Sequence, residues 1–441
     1  MEQTESATAA RVAMGALADD QKRSLYVGII VGFLLRLAGG AAGVLLGFYL
    51  NRVVSAETGG AVNPEVVGNL TAAFFAVELF LAPVFGGWSD RIGRKPFLLA
   101  GPLIAGLAVQ LHPLTTLLWV IVIGRLLEGL ATSATTPGTL GFLTDITGGN
   151  TALRGRVMGL YELGSLVGIG LGPALGGQLW DALGANGLRA ISLVHFAAAG
   201  LVLLFIHETR PTHDAAGVPH SEHTMSWPER LRAYRHLMAL PRLWRFAPAW
   251  IAINGIVGLW FNHVTPLLSR AVPDPAQALV GGWSGEQVRN AFLIFGLPLM
   301  VGIYFWSRLY ARLRKTNIML LAVAGTLGVC VVLYVINIHL LPATWGLWVL
   351  IPLLFAAIFV EAGFTPVALA YLADVTEGRT QDRGAVMGLY SVFLGLGQII
   401  GAKLGAPFIG AWGFNGLLLC TAILAAVAGA AVLNLRHTTG D

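Results

Sequence analysis

Val157-Met158-Gly159-Leu160-Tyr161 recurs unchanged as Val386-Met387-Gly388-Leu389-Tyr390. The register, 386 against 157, extends well beyond these five residues. Leu143 and Asp145 match Leu372 and Asp374, and Arg154-Gly155 matches Arg383-Gly384. Upstream, Pro137 matches Pro366; downstream, Gly168, Gly172 and Gly176 match Gly397, Gly401 and Gly405. An unbroken identity inside so long a register reads as a duplicated unit, and it divides the chain into two matched halves.

The background of both copies is apolar. Of 441 residues, 56% are hydrophobic and 12% charged, and the mean hydropathy is +0.71. A soluble chain carries about twice that charge, so lipid must be the solvent for most of this surface. Mostly apolar runs lie near 26–51, 66–88, 97–112, 115–144, 154–181, 187–206, 246–269, 287–309, 317–338, 344–372, 384–410 and 413–435. Most are long enough to cross ~30 Å of hydrocarbon at ~1.5 Å per residue. They lack apolar–polar alternation and far exceed the roughly ten residues of a barrel strand. The expected fold is therefore all-α: twelve transmembrane helices in two pseudo-symmetric six-helix bundles. The first bundle covers 26–206 and the second 246–436. They are joined by a polar loop, 207–245, and flanked by segments 1–25 and 437–441. Two parallel repeats place a substrate site between the bundles, near the midplane.

The basic residues orient this arrangement. With the N-terminus inside, Arg52, Arg189, Arg270 and Arg289 fall outside, and Arg36, Arg125 and Lys403 fall within spans. The rest of the 28 lie on the cytoplasmic side, as the positive-inside rule asks. Both termini are thus expected in the cytoplasm, with the chain integral to the cytoplasmic membrane. The basic charges are orientation signals beside anionic lipid, so no nucleic-acid partner is implied. No cleavable signal peptide is read before the first span. Cys330 and Cys420 sit in apolar runs and read as buried free thiols.

The loop after the second run reads Gly86-Gly-Trp-Ser-Asp90-Arg91-Ile-Gly93-Arg94-Lys95. It is similar to the G-x-L-A-D-R-x-G-R-K motif of the major facilitator superfamily, with Trp88 for Leu and Ser89 for Ala. Gly168-x-x-x-Gly172-Pro173-x-x-Gly176-Gly177 matches that superfamily's antiporter motif. Arg125-Leu-Leu-Glu128-Gly129 resembles the R-x-x-Q-G motif of its proton-coupled exporters, with Glu for Gln. The resemblance covers the chain beyond residue 25 and points to the drug and multidrug antiporter branch. It implies proton-coupled efflux of small amphipathic or drug-like molecules by alternating access, from a monomer driven by the proton gradient with no cofactor. A proton-coupled importer, or a lipid, sugar or organic-anion carrier on the same scaffold, is the alternative. The resemblance also implies a conformational latch built from Gly86, Asp90, Arg91, Gly93, Arg94 and Lys95. Its candidate partners are Asp145, Arg154, Asp374 and Arg383.

Ionisable groups inside a bilayer are functional candidates. Glu361 and Glu128 are the first candidates for proton coupling, with Arg125 beside Glu128. Arg125 either tunes a proton-carrying carboxylate or forms a self-contained ion pair. Depth along the helices suggests two further pairs, Arg36 with Glu162 and Glu78 with Lys403; either could be static. Asn254, Trp260, Asn262, His263 and Phe364 suit a lipophilic, partly polar ligand. The aromatic members read equally as interfacial anchors. The first span has no acid and instead carries Arg36, which speaks against a cationic-drug preference.

The central-loop histidines (His207, His213, His220, His223) lack cysteines and a fixed geometry, so no metal site is expected. No phosphate-binding loop of the P-loop type occurs, which excludes direct ATP drive. A membrane enzyme would need a nucleophile–base set or a metal cluster, and neither is present in the sequence.

Overall fold

The computed structural model describes residues 17–59, 62–148, 150–209, 241–309, 313–339, 343–375 and 383–439. Among them the regular elements are helices, apart from one isolated bridge between Asp274 and Gln277. In chain order they are α1 (Asp19–Tyr49), α2 (Pro64–Ile92), α3 (Arg94–Leu111), α4 (Leu118–Ile146), α5 (Thr151–Leu183), α6 (Asn186–Phe205), α7 (Pro241–Leu268), α8 (Gly285–Leu309), α9 (Lys315–Asn337), α10 (Ala343–Glu361), α11 (Phe364–Val375) and α12 (Arg383–Thr439). Among the described residues, eleven helical stretches are long and apolar enough to cross a membrane. Large apolar side chains such as Phe80, Leu204 and Trp348 are more than 70% exposed, a pattern that fits a hydrocarbon surround.

Three departures from the sequence reading have physical reasons. The first helix does not stop near 51: it continues through a π-helical turn, Leu50–Val54, and a last turn, Ser55–Thr58, before Gly59 ends it at φ 71°. The tenth run is interrupted between α10 and α11 at Ala362-Gly363. The last two runs join in one stretch, Val392–Arg436, whose regular path is broken at Gly413, with φ 58° and ψ −132°. Glycine alone adopts such a φ cheaply.

The chain forms two compact units. One is Met1–Leu46 with Ala76–Thr224; the other is Gly47–Phe75 with Met225–Asp441. Each has its own apolar centre. In the first, Leu25, Val31, Leu98, Phe142, Leu143, Val157 and Val202 are buried together. In the second, Val329, Leu350, Leu354 and Ile358 bring α9 and α10 into one cluster.

The repeat is visible in how these helices touch. In the first unit the Gly168-Gly172-Gly176 stripe of α5 lies directly on α1. A Cβ at Gly168 would stand 2.7 Å from the Phe33 carbonyl oxygen, one at Gly172 2.6 Å from that of Leu37, and one at Gly176 2.6 Å from that of Ala41. In the second unit the matched stripe of α12 lies on α7. A Cβ at Gly397 would be 2.6 Å from the Ile251 carbonyl oxygen, and Gly401 and Gly405 approach Gly255 and Leu259 more closely still. Small residues at every fourth position let two backbones meet where no larger residue fits.

Candidate functional site

The motif expected as a loop is mostly helical: residues 86–92 close α2, Gly93 alone separates it from α3, and one arginine holds the junction. Arg94 pairs with Asp90 through Nη1 at 2.5 Å and with Asp145 on α4 through Nε at 3.0 Å. Its Nη1 also donates to Ser89 Oγ at 2.9 Å. Gly141 leaves the room: a Cβ there would overlap the Arg94 guanidinium. Gly93 turns the chain at φ 126°, a conformation that favours glycine. Its open side is filled by Glu208, whose carboxylate accepts from the backbone N–H of Arg94 at 2.8 Å and of Lys95 at 3.1 Å. An acid on the first N–H groups of α3 satisfies donors that a helix start otherwise leaves unpaired. Glu208 and Thr209 were not among the residues singled out in the sequence. The structure makes Glu208 the cap of α3, and Thr209 Oγ1 also reaches Asp145 Oδ2 at 3.4 Å.

The other latch candidates are placed less tightly. Gly86 faces Pro137, Arg91 is exposed, and Arg154 Nε points to Thr147 Oγ1 at 3.5 Å. Lys95 Nζ donates to the Leu203 carbonyl at 3.0 Å. The side chains of Asp374 and Arg383 lie outside the described residues.

Within the first unit, Glu128 sits in a closed ion network. One carboxylate oxygen is taken by Arg125, one turn earlier on α4. The other meets His112 Nε2 at 2.6 Å. His112 is 1% exposed and Glu128 11%, while His195 on α6 is near enough for its charge to act on Glu128. The two histidines were not among the residues singled out in the sequence. Their signal was available: His112 ends the third run, and Gly124 clears space for its ring, which lies 2.5 Å from where a Cβ would be.

Arg36 and Glu162 form no ion pair among the described residues. The carboxylate within electrostatic reach of Arg36 is Glu78, and Glu162 is exposed. The Arg36 Cβ instead faces Gly168 in the α1–α5 seam, 3.0 Å from where a Cβ there would stand. Lys403 Nζ donates to Asn69 Oδ1 at 2.5 Å, inside the second unit.

The polar groups of α7 are turned inward. Asn254 and Asn262 donate to the carbonyls of Trp250 and Gly258, each one turn back, at 2.9 and 2.8 Å. Trp260 donates to Thr421 Oγ1 at 2.9 Å and stacks on Phe295. His263 Nε2 meets the Ala402 carbonyl at 2.9 Å and is buried, as is Phe364. These contacts bind the helices of the second unit to one another.

Glu361 is different. It is the last residue of α10, at the interruption of the tenth run. Its Oε2 is buried with no hydrogen-bond partner, and among the described residues no cation pairs with it. Gly325 of α9 packs against its backbone, where a Cβ would lie 2.6 Å from the Glu361 nitrogen. Among the described residues no group of three or more His, Cys, Asp or Glu is arranged to hold a metal ion.

Comparison with known proteins agrees with this architecture. The chain is 36% identical over 145 residues to the class H tetracycline resistance protein of Pasteurella multocida, covering 32% of this chain and 35% of that one. Over 287 residues it is 28% identical to the class E tetracycline resistance protein of Escherichia coli, covering 62% and 63%. It is 25% identical to the inner membrane transport protein YajR of Escherichia coli strain K12, covering 81% and 71%. The chain thus matches only about a third of the length of the class H relative. Among solved structures, the nucleoside transporter NupG superposes with a TM-score of 0.71 at 14% identity, covering 95% of this chain and 99% of that one. That likeness shows the fold alone. The profile of the Major Facilitator Superfamily matches residues 28–274 and 275–440, and the chain belongs to that superfamily.

Proposed function

We propose that this transporter exports small amphipathic molecules by alternating access, in exchange for protons, and that Glu361 carries the proton. The observation behind this reading is the buried Oε2 of Glu361, which has no hydrogen-bond partner and, among the described residues, no cation, at a helix interruption. An ionised carboxylate in such a place costs several kcal/mol, and the neutral acid does not. A group whose charge the protein leaves unbalanced can be emptied and filled by a change of surroundings. Glu128, whose two oxygens are both engaged, is a fixed charge by comparison. The tetracycline resistance relatives and the antiporter-type seam of α5 favour export.

The reading includes twelve crossings in two six-helix halves, because the glycine break at Gly413 divides a 45-residue stretch. At ~1.5 Å per residue that stretch is about twice the ~30 Å a single crossing needs. Both termini lie in the cytoplasm, the protein works as a monomer, and the proton gradient is its energy source.

Tetracycline, named in the relatives, is the first probe. Everted membrane vesicles given an acid interior should accumulate tetracycline, and Glu361→Gln should abolish the response to the imposed gradient while downhill exchange persists. Accumulation driven by the opposite gradient would establish import instead. A Glu361→Gln protein that still follows the gradient would remove Glu361 from the coupling step.

A further inference from the structure

The interruption beside Glu361 has a hydrogen-bond ledger that can be followed atom by atom. In an unbroken helix the Phe359 carbonyl would accept from the Gly363 N–H, four residues on. Here Ala362 N–H still bonds to the Ile358 carbonyl at 3.0 Å, but Gly363 N–H bonds to Val360 at 3.2 Å, three residues back. The Phe359 carbonyl is left over. Inside a bilayer a freed backbone group must find a partner within the protein. It finds Trp306 of α8, whose Nε1–H donates to the Phe359 oxygen at 2.8 Å.

The surroundings are shaped to this one bond. Trp306 is 6% exposed. A Cβ on Gly363 would come within 3.1 Å of its ring, and Gly302, one turn earlier on α8, approaches both Phe359 and Ala362 too closely for any side chain. The first half shows the contrast. At the repeat register Gly363 corresponds to Ala134, and there α4 runs unbroken from Leu118 to Ile146.

We propose that Trp306 is the positioning residue for Glu361. Its indole N–H replaces the lost helix bond and holds the tenth run in the interrupted form that leaves the Glu361 carboxyl without a partner. This inference rests on the assignment of proton exchange to Glu361. No charged group of α8, α9 or α12 pairs with Glu361 among the described residues. Cys330 of α9 is close enough to feel the Glu361 charge.

The test needs no transported compound. The full-length protein in liposomes is taken through a pH series, and the carboxyl C=O band is followed by infrared difference spectroscopy. The Glu361 band is the one lost in Glu361→Gln. Trp306→Phe keeps the ring and removes the donor, and it should move the titration midpoint of that band by on the order of half a pH unit or more. Gly363→Ala, which pushes a methyl against the same indole, should move it too, and it serves if Trp306→Phe does not fold. If no band is lost in Glu361→Gln, the proton assignment itself fails. If the band is present in wild type, absent in Glu361→Gln and unmoved in both other variants, Trp306 does not position Glu361 and this inference falls.

Discussion

The α1–α5 seam allows a stability prediction with an internal control. In Gly172→Ala the new methyl would begin 2.6 Å from the Leu37 carbonyl oxygen and 3.0 Å from Gly40 Cα. Ordinary contact begins at 3.4 Å, so the two backbones must separate by about 0.8 Å or bend. Neither neighbour is a flexible side chain that could rotate away. Overpacking of this kind costs roughly 1–3 kcal/mol. Gly159→Ala, on the same helix, meets nothing within 4 Å. Both substitutions gain the same helix preference for alanine, about 0.5–1 kcal/mol, so the difference between them isolates the seam. On the scale of a 150–250-residue domain, about 2–4 °C per kcal/mol, Gly172→Ala should melt roughly 2–12 °C below Gly159→Ala. Thermal unfolding of the purified protein in detergent, followed by loss of the monodisperse peak, gives the comparison. Equal melting temperatures for the two variants would mean the helices do not approach as described.

Two further expectations concern the charged groups. On the proposed function, Asp90→Asn should slow turnover of the transported probe several-fold while leaving its dissociation constant unchanged, because Arg94 retains Asp145 and Ser89 but the end of α2 loses its acid. Unaltered turnover would remove the latch role. Glu128→Gln removes the carboxylate shared by the partly buried Arg125 and by His112, a loss of about 3–5 kcal/mol, whereas the double replacement Arg125→Met with Glu128→Leu should recover most of that stability. A thermal shift equal in the single and double variants would show that the pair is not a closed charge network.

The helices and the glycine stripe were legible because each rests on a local, repeated signal. Twenty apolar residues admit few alternatives in lipid, and the stripe from Gly168 to Gly176 announces a close approach even before the partner is known. The seam's partner, α1, was not legible, since Gly40 and Ala41 carry no distinctive spacing of their own. Asp145 was expected near Arg94 on the strength of the motif, and the structure brings the two together at 3.0 Å. Glu208 was passed over because its value lies in where the chain returns after α6, against the start of α3. His112 and Trp306 escaped for the same reason. Each satisfies a group 16 or 53 residues away, and no periodicity records a bond of that kind. The pairing of Arg36 with Glu162, inferred from equal depth, shows the limit: depth follows from counting, but facing depends on how helices roll against their neighbours.

The duplication also explains why the two buried acids differ. At the repeat register Glu361 corresponds to Thr132, and Glu128 to Ala357, so each acid has no counterpart in the other half and the two are offset by one turn. On α4 the acid comes first, with Arg125 one turn before it, and the Thr132 hydroxyl donates to the Glu128 carbonyl in an unbroken helix. On the tenth run the acid comes one turn later, at the point where the helix fails, and Leu354 stands in place of the arginine. A charge with a fixed partner resists exchange, because removing its proton or its cation strands the other group. One without a partner resists only when ionised. The same scaffold thus surrounds one acid with partners and leaves an oxygen of the other without one among the described residues, and the proposed proton exchange assigns the responsive role to the second, Glu361.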